Sequence, residues 1–371
     1  MIVETHTLPG GTPGLQPALT VLRFGQAGAR PKVTIQAALH ADETPALLVA
    51  QALRAQLSEL EAAGQLLGEV LLVPMANPIG LGQCLLGRLE GRFDLRDGSN
   101  FNRGHASLAD AAAQRLEGQL GADSALNQQR VRQALKEAAA ALPAQNATEH
   151  LKRLLLLNAV DSDMVFDLHC DAQAVVHLYA LTTHEALARE LGAWVGAQAV
   201  LLASDSGGSP FDEACSRPWL QLQERFPGHP IPAACFACTL EWRGESDTSL
   251  EQAQADAAAL IQFLRRHGVA TPDDKPAPEA LCQPTPLAAS EPITAPHAGV
   301  LVFHAEPGQR LQAGDTVATL VELEHGTHTP LRCESSGVLY ARIAGRWAGA
   351  GQRVAKVAGW TLSRRGELLS A

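Results

Sequence analysis

The chain has 371 residues, 46% hydrophobic and 18% charged, with a formal net charge of -10. That length exceeds one ordinary hydrophobic core and predicts a large domain with a smaller one. An acidic balance without a basic block excludes a nucleic-acid or anionic-membrane partner, and no apolar run is long enough to span a bilayer. The opening MIVETHTLPGG lacks the basic and apolar parts of a secretory leader, so a cytoplasmic protein acting on a small molecule is expected. Its seven cysteines are odd in number and scattered, which predicts reduced thiols. Cys235 and Cys238 form a CxxC, but inside the apolar run AACFACTLEW, where they read as buried strand residues.

VTIQAALH, residues 33–40, is an apolar, β-branched run ending in polar residues, as a buried strand of an α/β sheet does. The following ADETPALLVAQALRAQLSEL has helical spacing, with Asp42 or Thr44 placed to cap and Pro45 tolerated in the first turn. EVLLVPMANPIG gives a second strand, and the Gly- and Arg-rich loop GRFDLRDGSNFNR follows without apolar period. Residues 107–157 predict two helices interrupted near Pro143. MVFDLHCD and VVHLYAL read as strands, HEALARELGAWVGAQAVLL as a helix leading into a strand, and ACFACTLEW as a further strand. SLEQAQADAAALIQFLRRHGV is an amphipathic helix stopped by Gly268.

Seven prolines in residues 271–296 predict an extended linker. Beyond it Gly299-Val300-Leu301 matches Gly337-Val338-Leu339, and 314–317 matches 351–354, an internal repeat of short strands. The domains expected are therefore 1–270 for the catalytic unit, 271–295 for the linker and 296–371 for a β-sandwich. This repeat is similar to the biotinyl/lipoyl carrier fold, a small all-β barrel-sandwich. The hairpin tip in LVELEHGTHTPLRC has no lysine, and Lys356 lies in the last repeat strand, which argues against a swinging arm.

His40 and Glu43, three apart in the turn after a strand, can reach one ion. His169 ends another apolar strand and completes a His2Glu set, the set of carboxypeptidase A, with the fourth zinc position left for water. Asp167 and Asp171 flank His169, and either could orient a ligand ring. Glu241 ends a strand in CTLEWRGESD, where a carboxylate can move a proton from water to a leaving nitrogen. The arginine loop offers Asn102 and Arg103 for a substrate carboxylate and Arg92 for the scissile carbonyl, with Arg96 on the same loop not separable by spacing.

HxxE at 40–43, Asn77-Pro78, the loop ending in Asn100-Phe101-Asn102-Arg103, DLH at 167–169 and TLEW at 239–242 follow one another in the chain. In that order the sequence resembles the succinylglutamate desuccinylase/aspartoacylase family, acylase relatives of the M14 zinc carboxypeptidases. The resemblance covers most of the chain and implies a zinc-carboxypeptidase-like α/β/α domain with a mixed central sheet. It implies one Zn2+ per chain on His40, Glu43 and His169, Glu241 as general base in promoted-water attack, Arg92 polarising the carbonyl, and Asn102 with Arg103 gripping the carboxylate. A small N-acyl amino acid is then the substrate, and a homo-oligomer is allowed rather than dictated. The segment DLRDGS before Asn100 is longer than in the human-type aspartoacylase pattern, and an arginine shortly before the catalytic glutamate has no counterpart. A carboxypeptidase acting on peptides, or a binding protein that has lost the chemistry, are the other readings; the completeness of the set speaks against the second.

Overall fold

The computed structural model describes residues 1–10, 14, 16–362, 364, 366 and 368. A nine-stranded mixed sheet runs Ile2–Thr7, Ala18–Phe24, Glu69–Val73, Lys32–Ala37, Met164–Asp171, Phe236–Gly244, His177–Leu181, Ala199–Ala203, Thr285–Pro286. The third to sixth of these strands are mutually parallel. Antiparallel pairings join the first three strands, and another sets His177–Leu181 against Phe236–Gly244. Lys32–Ala37 is buried throughout and Met164–Asp171 nearly so, which is why both read as continuous apolar runs and not as alternating ones.

Helices cover both faces. On one side Leu53 and Leu57 of Thr44–Ala62, Trp194 of Glu185–Val195 and Leu260 of Leu250–Arg266 share a core with the sheet. On the other side lie Leu116, Leu135, Leu155 and Trp219, from four further helices. Residues 107–157 hold three helices, Ala109–Leu116, Ser124–Ala140 and Ala147–Ala159, where the sequence reading placed two. The additional break has a local cause: Gly118 takes a left-handed φ of 70°, and the Asp123 carboxylate caps the next helix by accepting from Ala125 and Leu126 N–H. The helix after the HxxE segment also differs. Its N-cap position is Glu43, neither Asp42 nor Thr44, and no side chain caps it. The helix ending at Arg266 does stop as read, with Gly268 at φ 71°.

Residues 271–284 form no helix or strand, but the second half of the expected linker is ordered into sheets. Thr285–Pro286 pairs with the edge of the large sheet, and Ser290–Thr294 is itself an edge strand. Both positions tolerate proline because an edge strand can spare an N–H. The remaining chain builds two small antiparallel sheets around one apolar core that includes Leu301, Leu320, Leu339 and Val357. The repeat appears as two equivalent hairpins, Gly299–Phe303 with Thr316–Val321 and Gly337–Arg342 with Arg353–Gly359. Glycine is required at each start. A Cβ on Gly299 would lie 2.5 Å from Val321 O, and one on Gly337 would lie 2.2 Å from Ala358 O.

Leu53 is fully buried between helix and sheet, so Leu53→Ala is expected to lower stability by about 2–5 kcal/mol in urea unfolding. Leu323→Ser, at a site 64% exposed, should change it by less than about 0.5 kcal/mol.

Candidate metal centre and active site

Three parallel neighbours, Lys32–Ala37, Met164–Asp171 and Phe236–Gly244, end on the same edge of the sheet. Their register places Ala37 beside Leu168, and His169 beside Glu241. Past Ala37 the chain turns at Ala38, which holds a φ of 56° and donates its N–H to Leu168 O. Asn77 fixes that turn from below. Its amide donates to Leu39 O and Gly91 O, while its Oδ1 accepts from Gly80 N–H. Gly91 presses the arginine loop onto the turn, and a Cβ there would come within 2.3 Å of Asp42 N. His40 and Glu43 are thereby carried over the end of the strand that bears His169.

The Glu43 carboxylate lies between the two rings: Oε1 is 2.9 Å from His40 Nδ1, and Oε2 is 2.6 Å from His169 Nδ1. Oε2 also accepts from Cys170 N–H. Each far nitrogen has its own acceptor. His40 Nε2 lies 2.9 Å from Asn100 Oδ1, an oxygen identified as such because it also accepts Asn102 N–H, and His169 Nε2 lies 2.9 Å from Asp167 Oδ2. Both rings therefore hold a proton on Nε2 and turn Nδ1 toward the carboxylate. For His40 this sets an imidazole lone pair against a carboxylate oxygen, an arrangement that a cation between them would satisfy. The three ligand atoms lie within 4.8 Å of one another, and two nitrogens with one carboxylate oxygen are a zinc-type donor set. The residues present fit a divalent metal.

Burial pushes the His40 ring below its ordinary pKa, as a neutral ligand requires. Burial opposes ionisation of Glu43 too, yet the His169 and His40 rings hold its carboxyl well below the usual range. Against the same burial, Asp167 and Glu43 hold His169 well above its ordinary value, so without a metal it carries a proton.

His40, Glu43, His169, Arg92, Asn102, Arg103 and Glu241 all line one cavity of about 550 Å³. Glu241 is half-buried there, its Oε2 sealed from solvent and without a partner among the described residues; desolvation first, then the Glu43 carboxylate, push it up to about 8. Arg92 reaches the trio, its Nη1 3.1 Å from His40 Nδ1 and 3.4 Å from Glu43 Oε1. Arg96 turns away to Asp94 and Thr148, which separates the two arginines that spacing could not. Asn102 is committed on both sides. Its Oδ1 accepts Phe211 N–H, and its Nδ2 faces Asp167 and His169 Nε2. Arg103 lies over Gly208, where a Cβ would meet its Cδ at 2.7 Å.

The C-terminal sheets form part of the cavity wall. Directly after the His169 strand, Gln173–Ala174 pairs with Gly337–Arg342, and Val175 donates its N–H to Tyr340 O. Lys356 enters the cavity from the last strand and pairs with Asp171. Of the two aspartates flanking His169, Asp167 therefore orients the ring, and Asp171 holds the C-terminal lysine. Cys235 and Cys238 are buried free thiols. Among the described residues, no helix is long and apolar enough to cross a membrane.

The sequence profile of the succinylglutamate desuccinylase/aspartoacylase catalytic domain matches residues 29–265. This chain belongs to that family. A family protein from Shewanella amazonensis SB2B is similar in structure, at 27% identity, a TM-score of 0.83, and coverage of 96% of this chain and 98% of the other. One from Shewanella frigidimarina NCIMB 400 has 25% identity, a TM-score of 0.81, and coverage of 96% and 97%. A succinylglutamate desuccinylase/aspartoacylase from Rhodobacter sphaeroides, at 15% identity, TM-score 0.64 and coverage of 97% and 96%, shares the fold. No curated protein matches the sequence.

In this desuccinylase/aspartoacylase family member, sequence reasoning passed over Asn100, which orients His40, and used Asn77 only as part of a motif. Both are polar residues in loops next to apolar strands, and only their partners reveal what they do. Because His169 is protonated without metal, zinc uptake must release a proton, and affinity should rise between pH 6 and pH 8. Calorimetry in two buffers of different ionisation enthalpy checks this, and Asp167→Asn should weaken zinc binding by about 10–100-fold.

Proposed function

We propose that the protein is a zinc-dependent deacylase that hydrolyses the amide bond of a small N-acyl amino acid. The observation that carries this reading is the convergence of His40 Nδ1, Glu43 and His169 Nδ1 beside the unpartnered Glu241 carboxyl in one cavity. Residues 1–270 would form the catalytic domain, and the β module at 296–371 would close one side of it. The cavity volume and that wall favour a small substrate over a peptide chain.

His40, Glu43 and His169 would hold the ion, which when bound supplies a Lewis acid that activates water and polarises the scissile carbonyl. Glu241 takes a proton from the attacking water as the water oxygen bonds to the carbonyl carbon. It returns the proton to the nitrogen as the C–N bond breaks, giving a carboxylic acid and an amine, and the acid then ionises by passing its proton to the amine or to solvent. A half-buried carboxyl with a raised pKa suits both halves of that transfer. Arg92 stands beside the trio, where its guanidinium can stabilise negative charge developing on the carbonyl oxygen. Arg103 would hold the substrate carboxylate by paired hydrogen bonds. Asn102, its amide engaged by Phe211 N–H and Asp167, would act mainly by fixing Arg103 and His169 in place.

Zinc-loaded protein assayed for amine release from acetyl, succinyl and formyl amino acids tests the reading. Glu241→Gln should retain zinc and lose at least about 100-fold in kcat. Turnover of peptides alone, or an unchanged rate in that variant, would overturn it.

A further inference from the structure

Two buried polar groups in the cavity take no part in the chemistry above. Asp212 lies in the first turn of the helix Phe211–Arg225 and is 5% exposed, with Oδ1 sealed from solvent. That oxygen has no hydrogen-bond partner among the described residues, although the carboxyl also accepts Glu213 N–H and feels the charge of Arg103. The Ser206 hydroxyl, in the loop before that helix, is likewise buried and unpartnered, although its backbone N–H is taken by Glu213 Oε1 at 2.8 Å. Buried polar groups in folded proteins are almost always satisfied. Two orphans lining the same cavity as a metal-type donor set call for a ligand that brings its own donors.

Their place in the fold says which part of the substrate they would meet. Gly104 donates its N–H to Gly208 O, His105 to Ser209 O, and the Arg103 side chain crosses Gly208. The segment 206–212 thus wraps the arginine that would hold the amino-acid carboxylate. Phe211 N–H, bound to Asn102 Oδ1, fixes the turn from which Asp212 projects. The sign of the local field selects the ligand. Burial first, and then the Glu213 and Asp167 carboxylates, push Asp212 up to about 7. Arg103 is the counter-charge to this group, and once it holds the substrate carboxylate an anionic side chain would meet three carboxyl groups there, whereas a cation would relieve them.

We propose that Asp212, assisted by the Ser206 hydroxyl, is the subsite for a side-chain ammonium on the amino-acid part of the substrate. The preferred substrates are then N-acyl derivatives of diamino acids and not of dicarboxylic ones. The assignment rests on the deacylase reading for the chemistry, but its test is a binding measurement that needs no turnover.

Zinc-loaded protein is titrated by calorimetry with free ornithine, norvaline and glutamate, which differ in side-chain charge. Ornithine should bind at least tenfold more tightly than norvaline, and glutamate more weakly than both. Asp212→Asn should erase the ornithine advantage and leave norvaline within about twofold, which also shows that the variant is folded. Ser206→Ala, a milder change, should reduce the same advantage severalfold. Glutamate binding as tightly as ornithine, no ornithine binding, or an undiminished advantage in both variants would overturn the subsite. Failure to hydrolyse any acyl amino acid would count against the deacylase reading alone.

Discussion

One carboxylate shared between two imidazole rings governs this molecule. Glu43 faces His40 with one oxygen and His169, 126 positions further along the chain, with the other. A buried carboxylate is costly unless positive charge or donors compensate it, so the rest of the site is arranged around that compensation. The Asn77 amide holds the turn, Gly91 permits the close approach of the next loop, and Asn100 and Asp167 fix the rings from behind. Parallel strand register does the remaining work by ending three strands side by side.

The C-terminal sheets are coupled to this centre by covalent continuity as well as by packing. The strand that carries His169 runs on through Asp171 into Gln173–Ala174, which joins the small sheet. Arg342 donates to Gln173 Oε1, and Lys356 pairs with Asp171 two residues beyond the histidine. A displacement of the small sheets would therefore pull on the strand that carries His169. The same contact forms one wall of the cavity and brings Lys356 in, whose charge opposes the rise that desolvation imposes on Glu241.

The cavity also divides by charge. Lys356 and Arg353 stand on the C-terminal wall, while Asp212 and Glu213 stand on the helix beyond Arg103. Lys356 is already neutralised by Asp171, whereas Asp212 Oδ1 has no hydrogen-bond partner among the described residues. On the subsite proposed above, that oxygen would carry the selectivity, because desolvating it without a partner is the larger penalty.

The sequence by itself determined the strand ends that carry His169 and Glu241 and the helix closed by Gly268. Each is a local pattern: a run of apolar residues, a polar stop, a glycine. The convergence of His40, Glu43 and His169 could be argued from residue type and order. The choice of Arg92 over Arg96 could not, since both occupy one loop and only the fold turns one inward. The third helix of 107–157 was written in Gly118 and Asp123 but hidden by continuous helical composition on both sides. What only the tertiary structure decided are the long-range partners, Asn100 for His40 and Lys356 for Asp171. Such partnerships span 60 to 185 residues and follow from sheet order and the docking of one sheet on another, which no local periodicity encodes.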